Sequence, residues 1–282
     1  MKQEQSGNYP VDAENVAEMA RLTRQARVFT SSTGLLPPNV QLATGQSVLD
    51  VACGPGEWTL AVAEQYPHVQ VVGIDISTTM TDYARYLAAE RELSGASFRV
   101  MDARQGLAFP DAAFDVVHTR LISGFLTPES WPVLLAECAR VLKPGGSFIS
   151  VETNDVGSST SPALTQLMSV VMRAMHRTGH YFGAESDHSG VAVVLPRLLR
   201  EAGLTNVGRE AFVLDSSSGS AAHEELVQDW AIVFQIGAPL WTSVGGVSEG
   251  ELATLSARAL EEMRSPDFCA AMFVQRLLAK KA

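Results

Sequence analysis

Two carboxylates and a glycine-rich turn carry the first recognisable chemistry in this chain. VLDVACGPGEWTL (48–60) sets a strand, a turn containing Gly54 and Gly56, and a helix start in that order. Glycines there let the backbone approach a ligand closely, and the helix that follows offers free N–H groups and a positive dipole end. Asp50 ends the strand and can bind a cationic ammonium. Nineteen residues after Gly56 stands Asp75, the last residue of VVGID. A carboxylate so placed can accept both hydroxyls of a ribose. A dinucleotide site wants G-x-G-x-x-G, with pyrophosphate on the helix N-terminus. Here Thr59 stands in the third glycine slot, and the first acidic residue lies within the approach to the turn. The pattern favours a ligand without pyrophosphate: an amino-acid head on the loop and a nucleoside on Asp75.

Strands and helices in alternation must position these groups. Short β-branched runs at 47–51, 69–74, 97–101, 114–119 and 147–152 alternate with helical patterns at about 57–66, 78–93 and 128–142. Thr127 can cap the last helix, with Pro128 in its first turn, and Lys143-Pro144-Gly145-Gly146 stops it. This alternation predicts βαβ units and a mostly parallel sheet with both faces covered. A helix over 12–30, capped by Asp12, precedes them. After them the spacing predicts a helix over 162–177, a polar loop at 179–190 and a helix over 191–202. A strand at 206–214 and helices at about 222–236 and 248–264 follow. The last apolar run, 269–279, is read as a strand pairing with 206–214. The expected organisation is an N-terminal helical lid segment over 1–40 and one domain over 41–282, with a helical insertion at about 216–265.

Composition narrows the function classes. With 46% apolar and 18% charged residues among 282, the chain is not intrinsically disordered. Its 21 basic and 31 acidic residues give a net charge of −10, which disfavours a non-specific grip on nucleic acid or anionic membrane. No run of 18 apolar residues exists to span a bilayer, and the polar N-terminus reads as lacking a signal peptide. Three widely spaced cysteines fit reduced thiols and a cytoplasmic location.

Ligands in such sheets bind beyond the carboxyl ends of the strands. Glu152 ends the fifth strand and reads as a general base or as an anion that stabilises positive charge; the alternative is a structural carboxylate paired with an arginine. His118 reads as a base or a substrate hydrogen-bond donor, against a histidine satisfied at a strand end. His176, His180 and His188 invite a metal reading, but Gly179 breaks the helix between the first two and no cysteine is near. No metal is expected. A lid-lining set, with Arg173 and Arg177 as a cationic patch for an anionic substrate group, is the reading kept. Helical spacing puts Ala222, Leu226, Trp230 and Phe234 on one face. That stripe is either core or the roof of an apolar substrate pocket shared with Phe125, Met172, Tyr181 and Phe182.

With these residues set out, the chain resembles the class I S-adenosylmethionine-dependent methyltransferases of the small-molecule and ubiquinone-biosynthesis-like type. The family's acidic-x-Gly-x-Gly-x-Gly motif corresponds to Asp50-Val51-Ala52-Cys53-Gly54-Pro55-Gly56, with Ala52 in the first glycine slot. Asp75 in VVGIDIS, Met101-Asp102-Ala103, FPDAAFDVVHTR (109–120) and LKPGGSFIS (142–150) follow in the family's order. The resemblance covers about 48–152. It implies a doubly wound, seven-stranded, mostly parallel α/β sheet of Rossmann-like type, with S-adenosyl-L-methionine as cofactor. It implies cofactor contacts from Asp50, Ala52, Cys53, Gly54 and Gly56, from Asp75, Ile76 and Met80, and from Met101, Asp102, Ala103 and Thr119, with Asp102 on the adenine amino group. An N-terminal lid would bring Tyr9 and Gln25 to the cofactor. The Asn/Asp-Pro-Pro-aromatic signature of nucleobase amino-methylating members is replaced by His118-Thr119-Arg120-Leu121. The expected acceptor is therefore a small, largely apolar metabolite, a terpenoid or other secondary metabolite, methylated on oxygen or carbon. A cyclase or other non-methylating enzyme that uses the bound cofactor electrostatically is the alternative. The first helix and the insertion leave a homo-oligomer open.

Overall fold

The computed structural model of the chain describes residues 14–282. Strands β1 (Ser47–Val51), β2 (Gln70–Asp75), β3 (Ala96–Val100), β4 (Phe114–Arg120) and β5 (Leu142–Thr153) form a parallel core. Three more strands complete the sheet: β6 (Ser158–Ser159), β7 (Leu204–Asp215) and β8 (Ala270–Lys281). The order is β3-β2-β1-β4-β5-β8, with β7 antiparallel on the far edge of β8 and the two-residue β6 on β8 beside β5. That short β6 ladder makes the sheet eight-stranded where seven strands were expected.

The parallel strands read as near-continuous apolar runs because each is covered on both faces. In β1, Val48 packs with Trp58 and Val62 of α2 (Glu57–Gln65). Its neighbours Leu49 and Val51 point the other way, onto Trp131 and Leu135 of α4 (Ser130–Val141) and Leu195 of α6 (Val191–Glu201). The helix α3 (Thr78–Glu90) lies on the α2 side, joining Leu60, Ala84 and Phe98. A separate helical cap has its own core. Leu167 and Val171 of α5 (Pro162–Arg177) meet Phe234 of α7 (His223–Ile236), Trp241 of α8 (Ala238–Val244) and Ala259 of α9 (Glu249–Met263).

Four local details differ from the sequence reading, each for a physical reason. The first helix, α1, spans Val16–Thr33 and is capped by Asn15, whose Oδ1 accepts the Ala17 N–H at 2.8 Å; Asp12 lies outside the described residues. It ends at Thr33, three residues beyond the expected end, where Gly34 with φ 75° stops it. The strand β5 begins at Leu142, because the Pro-Gly-Gly segment is absorbed as an irregularity in the ladder between Phe114 and Val116 of β4. A further short helix, α8, follows α7, because Pro239 sits in its first turn, where the missing N–H is harmless.

The strand order reverses between β1 and β4, and the crevice at such a switch point is where open α/β sheets hold ligands. Helix α1 lies over that crevice through Leu22, Gln25, Ala26 and Phe29.

Candidate active site

A cavity of about 350 Å³ opens at this switch point, walled on one side by the ends of β1–β4 and on the other by α5, α7 and α8. The turn after β1 carries three left-handed residues: Ala52 (φ 58°), Gly54 (φ 53°) and Gly56 (φ 84°). Gly56 starts α2, and a Cβ there would lie 2.7 Å from the Phe98 ring and 2.8 Å from Ala84, so the position demands glycine. Ala52 adopts the same hand at a cost of roughly 1–2 kcal/mol for an L-residue. Asp75 staples this turn to β2. One carboxylate oxygen accepts the Gly54 N–H at 2.8 Å and the other accepts the Ser77 N–H at 2.9 Å. Burial raises the Asp75 pKa against the pull of those two donors. Burial, with Asp75 and Asp50 nearby, also pushes the Cys53 thiol well up, leaving it protonated and inert.

Parallel register sets Asp50 directly beside His118. Asp50 Oδ1 meets His118 Nδ1 at 2.8 Å, and its Oδ2 accepts the Thr59 hydroxyl at 2.8 Å. The imidazole also stacks on Trp58, ring centroids 3.7 Å apart and 7° from parallel. Burial lowers the His118 pKa despite Asp50, which favours a neutral ring. At β3, Asp102 is gripped by Arg104 at 2.8 Å and 2.9 Å, which holds its carboxyl below the usual range. Glu14 reaches across to the start of α3, accepting the N–H groups of Thr78 and Thr79 at 3.0 Å and 2.9 Å. The chain leading into α1 is thereby tied down beside Asp75.

The opposite wall is apolar and aromatic, with Phe125, Met175, Tyr181, Leu226, Trp230 and Trp241 in it. One buried charged cluster interrupts it. Arg21 of α1 grips Glu18 at 2.7 Å and Asp229 of α7 at 3.1 Å. Burial raises the Asp229 pKa, while Arg21 opposes the rise.

Of the residues expected at the site, Asp50, Ala52, Cys53, Gly54, Asp75, Ile76, Met80, Met101, Asp102, Ala103, Gln25 and His118 line the cavity, as do Phe125, Tyr181 and Trp230. Tyr9 lies outside the described residues. Others are placed elsewhere. Gly56 shapes the turn without reaching the cavity wall. Thr119 is fully buried on the other face of β4, since alternation turns His118 and Arg120 to the cavity. Glu152 is fully buried, and its two oxygens accept the N–H groups of Ile122 (2.9 Å) and Ser123 (3.4 Å), so it holds the turn after β4. Burial pushes it up to about 7. Met172 and Phe234 are core residues, and Phe182 packs against the sheet core. His180 is buried with Nδ1 2.8 Å from the Thr178 hydroxyl, and His176 Nε2 meets the His188 carbonyl at 3.0 Å. Arg177 is engaged by Glu185 and the Val244 carbonyl, away from the cavity.

Sequence reasoning passed over Arg120, Trp58, Arg104, Trp241 and the Glu18–Arg21–Asp229 cluster. Alternation along β4 was a usable signal for Arg120, and the i, i+3 spacing of Glu18 and Arg21 was one for their pairing. Nothing local points to Asp229, which stands 208 residues from Arg21.

Residues 48–146 match a family model described as Methyltransferase domain. A probable methyltransferase of Aspergillus luteorubrus, ltbC, is 27% identical over 241 residues, covering 82% of this chain and 83% of that protein. The demethylmenaquinone methyltransferase of a Geobacillus strain is 34% identical over 117 residues, 41% of this chain; the match spans 48% of that relative's length. Among solved structures, the YcgJ protein of Bacillus subtilis superposes with a TM-score of 0.55 at 18% identity, covering 93% of this chain and 99% of that one. At that identity the likeness is one of fold.

Proposed function

We propose that this chain, a class I S-adenosylmethionine-dependent methyltransferase, acts on a small, largely apolar acceptor and methylates it on oxygen or carbon. One observation carries the reading: a single cavity joins the strand-end carboxylates Asp50, Asp75 and Asp102 to the aromatic wall of Phe125, Trp230 and Trp241. The donor set suits the cofactor. Asp75 keeps acceptor capacity beyond its two backbone N–H partners, enough for ribose hydroxyls. Asp102 already accepts from Arg104 and Gln105, so the adenine amino group would take the place of the exposed Gln105 amide on it, and Ile76, Met80, Met101 and Ala103 supply apolar faces for the base. The left-handed turn at Ala52–Gly54 and the Asp50 carboxylate beside it suit an amino-acid head. When bound, S-adenosylmethionine supplies an activated methyl group.

The chain's own work is to align an acceptor and to exclude water. Helices α1, α7 and α8 roof the cavity, and the Arg21–Asp229 bridge ties α1 to α7 across it. The relatives fit this reading: the Geobacillus enzyme is named for demethylmenaquinone, a quinone acceptor. An acceptor panel tests it. The protein is incubated with S-adenosylmethionine and matched apolar and charged phenols, quinones and isoprenoids, and products are read by mass spectrometry. Demethylated cofactor and a methylated apolar product are expected. Turnover confined to charged acceptors overturns the acceptor class. Conversion of an acceptor without loss of the cofactor's methyl group overturns the transfer itself.

A further inference from the structure

Three arginines line the cavity, and they are not equivalent. Arg21 is matched by Glu18 and Asp229, and Arg104 by Asp102. Arg120 has no carboxylate within 4.0 Å among the described residues. Its Nη1 donates to two neutral groups of α1, the Thr30 hydroxyl at 2.9 Å and the Ala26 carbonyl at 3.4 Å. The guanidinium is thus held in one place at the end of β4 with no carboxylate in direct contact among the described residues. Withdrawing a cation from water is unfavourable unless an anion meets it, and a guanidinium's planar fork matches a carboxylate with two parallel hydrogen bonds.

The surroundings say which anion. Arg120 feels the charges of Asp50 at the end of β1 and of Glu57 at the start of α2, on either side of the glycine turn. It shares the cavity wall with Gln25 and Ala26 of α1 and with Trp58. That corner presents a fixed negative charge and a fixed positive charge beside the turn, the complement of a zwitterion. We infer that Arg120 is the receptor for the α-carboxylate of the cofactor's amino-acid half, opposite an ammonium drawn to Asp50. The inference rests on the cofactor reading above. Because Ala26 and Thr30 orient the same guanidinium, it also makes the seating of α1 part of cofactor binding. The acceptor side is left to the aromatic wall and the Arg21 cluster.

Calorimetry on the full chain tests this with two probes. One is S-adenosylhomocysteine; the other is its decarboxylated analogue, which keeps the amine. Wild-type protein should bind the analogue about 10- to 100-fold more weakly, the span of one charge-assisted pair. Arg120→Gln should weaken S-adenosylhomocysteine by a similar factor and bind both probes alike. Arg120→Lys, a cation without the fork, should fall between, and it carries the comparison if the Gln variant does not fold. Equal wild-type affinity for the two probes overturns the inference while leaving the cofactor reading intact. So does discrimination that survives in a folded Arg120 variant, including one whose only defect is in acceptor KM. Failure of the wild type to bind either probe overturns the cofactor reading itself.

Discussion

Replacing Asp75 by alanine separates two duties of one carboxylate, the backbone staple seen in the structure and the ribose contact proposed for it. Its oxygens accept the Gly54 and Ser77 N–H groups at 2.8 Å and 2.9 Å. An ionised carboxylate has about four acceptor sites, so about two remain for a ligand. A charge-assisted hydrogen bond is worth about 1.5–3 kcal/mol, so loss of the ribose contact should weaken S-adenosylhomocysteine about 10- to 100-fold. The truncation also leaves two backbone donors unpaired, at about 1–3 kcal/mol each where water does not replace the bond. A fall in melting temperature is therefore expected with the fall in affinity. A ligand comparison divides the two effects. Wild-type protein should prefer S-adenosylhomocysteine over its 2′,3′-dideoxyribose analogue by the same 10- to 100-fold, and the variant should show almost no preference. Calorimetry with both ligands on folded protein is the assay. A variant that binds with unchanged affinity, or keeps the preference, refutes the assignment of Asp75 to the ribose.

Two further perturbations probe the turn and the buried acid behind it. Ala52→Gly relieves a left-handed alanine (φ 58°) worth about 1–2 kcal/mol but adds about 0.4–1 kcal/mol of unfolded-chain entropy; a net gain of about 0.5–1 kcal/mol should raise the denaturant midpoint, and an unchanged or lower midpoint counts against strain there. Glu152 titrates near 7 in the folded protein against an ordinary 4.5. Between those values the folded state keeps a proton that the unfolded chain releases, so its contribution is full below pH 4.5 and falls as pH rises to about 7. The total is about 3 kcal/mol, at about 1.4 kcal/mol per pKa unit. Glu152→Gln should flatten that part of the profile in denaturation at pH 5 and pH 8; parallel loss in both proteins would place the titrating group elsewhere.

The βαβ order, the glycine turn and the strand-ending carboxylates were all legible in the sequence. These are short-range patterns: short β-branched apolar runs, glycine where φ must be positive, and an acid where a strand gives out. Gly56 illustrates how tightly such a signal is held, since the Phe98 ring leaves no room for a Cβ. The aromatic half of the cavity was legible only as a list of residues. The α7 stripe divides: Leu226 and Trp230 face the cavity, while Phe234 enters the core between Trp230 and Trp241. Periodicity identifies a helix's apolar face but not the neighbour that each residue on that face meets. Glu152 ends its strand as expected, yet the turn after β4 closes over it.

Local chemistry along the chain, then, determined the sheet and the wall of carboxylates at its strand ends. Long-range packing alone decided the roof, because the rotation of α1 and α7 about their axes depends on contacts such as Arg21 to Asp229 that no short window contains. The same packing left Arg120 with no carboxylate in contact among the described residues, an arrangement that exists only once every neighbour is in place.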